Sequence, residues 1–334
     1  MSISFYVGID VSSLTLDVAI FISSTESYQT SRFVNSDDGI KQLLKWLVSN
    51  KLTADNSIIL CENTGVYDDL VLQLLSIANW PCTVEKTTVL QKVKPEHHLK
   101  NDSLDARLLA EYAWRFFDKL QLYVPKKAEW TELHQLYQHR LFLVQKKTAS
   151  DNKLTTLSRN PFASKFVVRQ LNQEIELLKK QIAEVDKEIK QHINRNPEIK
   201  SKIDLLLSIP GIGMQTAVMF SWLFSEKTNL DYRKAASWFG VAPHGRQSGT
   251  ALKVKPKTGH GRKDMKTLLT MGARSASTHN SKFQYYKEQK LIQGKPKRVI
   301  ENNIANKLIK IACAVWNSNT PFDEKYISKF ILNT

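Results

Sequence analysis

Three β-forming runs crowd into the first 36 residues: "ISFYVGID" (3–10), "LTLDVAIFIS" (14–23) and "SYQTSRFVNS" (27–36). The gaps between them are too short for a crossover helix. The runs therefore have to fold back on one another as an antiparallel meander. After the meander the pattern changes. "DDGIKQLLKWLVSN" (37–50) places Ile40, Leu43, Leu44 and Leu47 on one helical face behind an acidic start. "NSIILCE" (56–62) is a short apolar strand, followed by a helix over about 66–79, a strand at 82–86 and a helix opened by Asp102. Three strands followed by alternating helices and strands predict a mixed-sheet α/β domain covering residues 1–122.

Residues 123–200 read as helical. Leu171, Ile175, Leu178, Ile182, Val185 and Ile189 recur at alternating spacings of four and three, a heptad seam suited to a coiled coil that either joins copies of the chain or packs within one. Residues 201–334 are expected to be mostly α-helical. There "LLLSIPGIGMQTAVMF" (205–220) sets Pro210-Gly211-Ile212-Gly213 between two helical stretches. It reads as a helix-hairpin-helix-like turn whose backbone N–H groups can meet a phosphate at Gly211 and Gly213. "YRKAASWFGVAPHGRQSGT" reads as a helix running into a Gly/Pro loop, "KTGHGRKDMKTLLTMGARSAS" as a basic loop feeding a helix, and the last 40 residues as helical.

The charge is regional. The formal net charge of +16 divides into −4 over residues 1–120, +6 over 121–200 and +14 over 201–334. Residues 244–298 alone hold 14 basic and 2 acidic side chains. A concentrated basic excess points to a nucleic-acid partner. Cys61, Cys82 and Cys313 are scattered and form no CxxC pair, which argues against a zinc site or a disulfide framework and fits a reducing compartment. No signal peptide or membrane span is expected, so the expected location is cytoplasmic and nucleoid-associated.

Against this basic background four carboxylates draw attention. Asp10 and Glu62 each end an apolar strand run, and Asp102 and Asp105 share one face of a helix start. If the two strands are neighbours, the four converge, and four converging carboxylates require a cation. Mg²⁺, or Mn²⁺, takes such oxygen ligands and suits phosphoryl transfer. Ser248 lies beside Arg246 and just before Lys253, Lys255 and Lys257; a serine in a positive field can attack a phosphodiester.

These blocks, in this order, resemble the DEDD-type transposases of the insertion-sequence-110 family over nearly the whole chain. "GIDVSSLTLDVAIF" is similar to the family's first RuvC-like strand pair with its catalytic Asp, here Asp10. "CENTGVYDDLVLQL" is similar to the Glu-bearing strand end, here Glu62. "KNDSLDARLLAEYA" is similar to the closing Asp-x-x-Asp helix, here Asp102 and Asp105. "SIPGIG", "FGVAPHGRQSG" and "GHGRKDMKTLLTMGA" are similar to the C-terminal transposase domain, whose nucleophilic serine falls on Ser248. The resemblance implies an RNase H/RuvC-like metal-binding domain (1–122), a helical coiled coil (123–200) and a basic transposase domain (201–334).

The function it implies is a Mg²⁺-dependent recombinase that moves an insertion sequence through a transient phosphoserine link to DNA. The serine would come from another subunit of a dimer or tetramer, and a structured RNA of the element would guide the choice of DNA. Gly211, Gly213, Arg246, Lys253, Lys255, Lys257, Arg262 and Lys263 are the nucleic-acid-binding candidates. The alternative is a RuvC-like nuclease or junction resolvase that uses water as its nucleophile and does without Ser248.

Overall fold

The computed structural model describes residues 3–63, 65, 67–90, 102–225, 231–243, 247–248, 252–253, 258, 261 and 263–324. The chain divides into two compact units, residues 1–126 and 127–334. Among the described residues no helix is long and apolar enough to cross a membrane.

The first unit is a five-stranded mixed sheet. Strands β1 (Phe5–Val11), β2 (Thr15–Ile22) and β3 (Ser27–Val34) form the expected antiparallel meander. Helix α1 (Asp37–Ser49) returns the chain to β4 (Ser57–Asn63), which pairs parallel to β1. Helix α2 (Asp69–Ile77) then leads to β5 (Cys82–Lys86), parallel to β4. The resulting order is β3-β2-β1-β4-β5, with β1 at the centre. Helix α1 starts where the sequence asks it to: the Ser36 hydroxyl accepts from the Gly39 N–H at 3.2 Å, and Asp37 and Asp38 occupy the positive first turn.

Alternation along the strands divides the side chains between two faces. Val7, Ile9, Val11, Ile59 and Cys61 pack with Ile40, Leu43, Leu47 and Leu72 from α1 and α2. Tyr6, Phe21, Ile58 and Leu60 pack on the other face against Ala106, Leu109, Ala110 and Ala113. The last four belong to α4 (Asp102–Arg115), which follows a single turn of helix, α3 (Thr87–Leu90). A short 3₁₀ turn at Phe117–Lys119 closes the unit.

The second unit is helical in its described residues apart from one small hairpin. Helices α5 (Ala128–Leu157) and α6 (Lys165–Arg195) form a long antiparallel pair. The heptad seam lies along this pair, with Leu171, Ile175, Leu178 and Ile189 buried. Polar clamps fix the register: Arg140 donates to both oxygens of Asp186 at 2.6 and 3.2 Å, and Ser150 donates to Glu174 at 3.1 Å. Of the two readings of the seam, the packing within one chain is the one observed: α5 of the same chain covers it.

The base of this pair enters a core shared with α7 (Pro197–Leu207), α8 (Met214–Ser225), α9 (Tyr232–Trp238), α10 (Lys263–His279), α11 (Ser281–Ile292) and α12 (Lys297–Ser318). Strands β6 (Gln247–Ser248) and β7 (Leu252–Lys253) pair antiparallel between α9 and α10. Within the last 40 residues, expected to be helical, α12 ends at Ser318, where Asn319 takes a left-handed conformation, φ 55°; residues 325–334 lie outside the described residues.

All three cysteines are free and buried. Burial pushes each thiol up, Cys313 to about 12 with the Asp231 carboxylate adding to the effect. The folded thiols stay protonated where unfolded ones ionise, at about pH 8.5. Stability should therefore hold below about pH 8 and fall as pH rises towards 12, because the unfolded chain then binds fewer protons. Denaturant midpoints measured across that range check the slope. A thiol reagent at neutral pH should label none of the three cysteines in the native protein and all three in denaturant.

Candidate active site

β1 and β4 run parallel with Ile9 opposite Cys61. The next residue on each strand, Asp10 and Glu62, turns to the α4 face at the carboxyl ends of neighbouring central strands. Both side chains are half-buried. Parallel strand ends are where open α/β sheets place their chemistry.

The helix that brings Asp105 to this face is held by a missing side chain. A Cβ at Gly8 would stand 2.1 Å from the Ala106 carbonyl oxygen, 2.4 Å from the Ala110 nitrogen and 2.7 Å from the Leu109 Cβ. Only glycine lets the backbone of α4 lie directly on β1. Further along, the Trp114 ring sits 5.0 Å from Phe21, whose strand partner is Tyr6 at the start of β1. Helix α4 therefore runs antiparallel to β1, with its amino end towards Asp10. Asp105 in its first turn is buried, 7% exposed. Asp102 opens α4, and its side chain lies outside the described residues.

The register adds two carboxylates that the sequence reading did not single out. Asp17 on β2 lies directly opposite Asp10, and Glu85 on β5 lies opposite Glu62. On the far side, Arg32 on β3 lies opposite Asp17 and donates from Nε to Asp17 Oδ1 at 2.9 Å. One row across five adjacent strands thus reads Arg32, Asp17, Asp10, Glu62, Glu85. Like charges directly opposite one another destabilise a sheet. Arg32 neutralises one end of the row; the rest is a concentration of oxygen donors that a divalent cation suits chemically. Among the described residues no three His, Cys, Asp or Glu side chains group closely enough to hold a metal ion, so Asp10, Glu62 and Asp105 share a face of the sheet without forming the converged cluster that the sequence predicts.

The strand ends are tied together as well. The Asn35 amide donates to the carbonyls of Ser12, after β1, at 2.9 Å and Tyr67, after β4, at 3.0 Å. Buried Asp17 depends on Arg32, so Arg32→Ala should cost about 1–3 kcal/mol by leaving a charge uncompensated. Adding Asp17→Asn should recover most of that loss, and thermal melts of the single and double variants check it.

In the second unit, Ser248 lies on β6 opposite Leu252 of β7, a short strand where the sequence read as an open loop. The segment is anchored at its base by two glycines. A Cβ on Gly261 would meet the Gly240 nitrogen and the Trp238 carbonyl oxygen, each at 2.3 Å, so the end of α9 touches the residue leading into α10. Lys253 lies on β7, with its side chain outside the described residues; Arg246, Lys255, Lys257 and Arg262 lie wholly outside them. Lys263 begins α10 and is exposed.

The turn between α7 and α8 has the expected helix-hairpin-helix-like form, and its two glycines play different parts. Gly211, φ 81°, is pressed on α10, where a Cβ would come within 2.3 Å of the Gly272 carbonyl oxygen. Gly213 faces open space at the start of α8.

The five-stranded mixed sheet of the first unit and the mostly helical remainder are consistent with an RNase H-like DEDD fold. Comparison with known proteins then fixes the family. Residues 7–159 match the DEDD-type transposase model of insertion sequence 110, and residues 203–288 match the model described as "Transposase IS116/IS110/IS902 family". The two matches together cover well over half of the chain, which belongs to the insertion-sequence-110 family of transposases.

Among its relatives, a pilin gene-inverting protein of Moraxella bovis is 26% identical, over 96% of this chain and 98% of the relative. That of Moraxella lacunata aligns equally well. A probable family 20 transposase of Pseudomonas aeruginosa is 24% identical over 66% of this chain and 73% of its own length.

Proposed function

We propose that this transposase cuts and rejoins DNA strands to move or invert a DNA segment, with Asp10, Glu62, Asp102 and Asp105 holding Mg²⁺ (or Mn²⁺) and Ser248 as the nucleophile. The observation that carries the reading is the placement of Asp10 and Glu62 at neighbouring strand ends, on the face where α4 buries Asp105. The near full-length likeness to proteins named for inverting a pilin gene supports recombination rather than simple cleavage.

Bound there, a divalent cation supplies positive charge to a phosphodiester that gathers negative charge as it reacts. The Ser248 oxygen attacks phosphorus as it gives up its hydroxyl proton; a serine–phosphate bond forms as one phosphate–sugar bond breaks, and the leaving sugar oxygen takes up a proton in exchange, so the net change is the transfer of one proton from serine to sugar. Rejoining is the reverse reaction with a different strand end. The number of phosphoester bonds is unchanged, so no nucleotide hydrolysis is needed. The basic second unit, with Gly213 and Lys263 exposed and Arg246, Lys253, Lys255, Lys257 and Arg262 in the Ser248 segment, binds DNA and a structured guide RNA. The working form is a homo-oligomer, a dimer or tetramer, in which a second copy supplies the serine.

The test is an incubation of purified protein and its co-purifying RNA with DNA carrying joined element ends and a target. Rejoined product is expected with Mg²⁺ and not with chelator. Cleaved ends that never rejoin would favour the water-using nuclease, and intact DNA in every condition would overturn the reading.

A further inference from the structure

We infer that the face built by α9, α11 and α12 holds a further phosphate-backbone site, centred on Lys307 and flanked by Lys290 and Lys310. The inference rests on the nucleic-acid reading above and assigns it to side chains that the motifs do not include.

The lysines are organised by two tyrosines. Lys307 Nζ lies 4.8 Å and Lys290 Nζ 5.6 Å from the centre of the Tyr286 ring, and Tyr286 is buried beneath them. Lys310 Nζ lies 5.1 Å from the centre of the Tyr232 ring on α9, and Arg233 5.8 Å from the same ring. Arg233 also feels the Asp231 carboxylate and adds less. Lys290, Lys307 and Lys310 are each half-buried, so their stems lie along apolar surface while their charges stay gathered at one place.

This grouping has a cost. Burial and the neighbouring charges of Lys310 and Lys290 all lower the proton affinity of Lys307. Lysines spread over a solvated surface would avoid that repulsion. Held at spaced positions over aromatic faces, they are pre-ordered for a ligand that carries one negative charge at every step. A phosphodiester chain has that repeat. Lysine charges held over tyrosine faces match the phosphate backbone and not base edges, so the contact should be independent of sequence. DNA and RNA share the chemistry; the test separates them.

The test uses full-length protein with Lys307→Gln/Lys310→Gln, and separately Lys290→Gln. Glutamine keeps a stem of similar reach and removes the charge. Affinities for a duplex DNA and for a structured RNA are measured from low to moderate salt, with thermal melts for folding. The expected result is weaker binding at low salt, with the slope of log affinity against log salt shallower by about 1 per lysine removed. The nucleic acid whose slope changes is the occupant of the face. Lys41→Gln/Lys45→Gln on α1 of the first unit, outside the basic second unit, should leave the slope as it is. Unchanged slopes for both nucleic acids in both patch variants, with wild type binding normally, would overturn the inference and leave the transposase reading standing. Wild-type protein that binds neither would overturn both.

Discussion

Asp10→Asn should give a folded protein that no longer cuts DNA. Asparagine matches aspartate in shape, so the packing on β1 is kept while one negative oxygen donor is lost from the centre of the row. Loss of several kcal/mol of transition-state stabilisation corresponds to roughly 10³-fold or more in rate. The same change should leave the melting temperature of the metal-free protein unchanged or slightly higher. Asp10 stands opposite Asp17, and removing one of two facing like charges relieves a repulsion of up to about 1 kcal/mol. A carboxylate whose removal destroys activity without lowering stability serves chemistry and not folding. Cleavage rates and melts measured on the same preparation check both halves.

Gly8→Val should be nearly as damaging for a different reason. No reacting group is touched, but a side chain at Gly8 collides with backbone atoms of α4 at 2.1 and 2.4 Å, and backbone cannot rotate away. The helix must lift from the sheet and carry Asp102 and Asp105 with it. Overpacking of this kind costs about 1–3 kcal/mol, and a shift of about 1 Å at a reacting centre can cost about 10²-fold in rate. Gly213→Ala, at a position that faces open space, should leave the melting temperature close to wild type. Comparing the melts of the two variants with the cleavage rate of Gly8→Val separates a displaced helix from a general intolerance of glycine replacement.

The first unit was legible because its signals are local. Strand alternation, short turns and an acidic helix start set the order β1-β2-β3-α1-β4, with ends within about two residues of those expected. The carboxylates at the strand ends followed from that order once β1 and β4 were taken as neighbours. Asp17 and Glu85 were not singled out, since each gains meaning only from cross-strand register. A signal existed: a turn as short as Ser12–Leu14 makes Asp10 and Asp17 opposite one another. The partner of the heptad seam was harder to see. Along α5, Trp130, Leu133 and Tyr137 join the core of the second unit while Leu143 is buried farther along the helix, so the helix shows no single apolar stripe. The strand at Ser248 is two residues long and has no period to read. The contact of Gly240 with Gly261 joins residues far apart in sequence, which no local pattern announces.

The most direct test of a serine-linked recombination is to follow the label. DNA carrying the joined element ends, labelled next to the cleavage point, is incubated with Mg²⁺ and wild-type protein, Ser248→Ala or Asp10→Asn, then run on a denaturing protein gel. Label that travels with wild-type protein, and with neither variant, is the predicted result. DNA cleaved by Ser248→Ala at the wild-type rate, with no label on wild-type protein, would contradict it and leave a metal-dependent nuclease in its place.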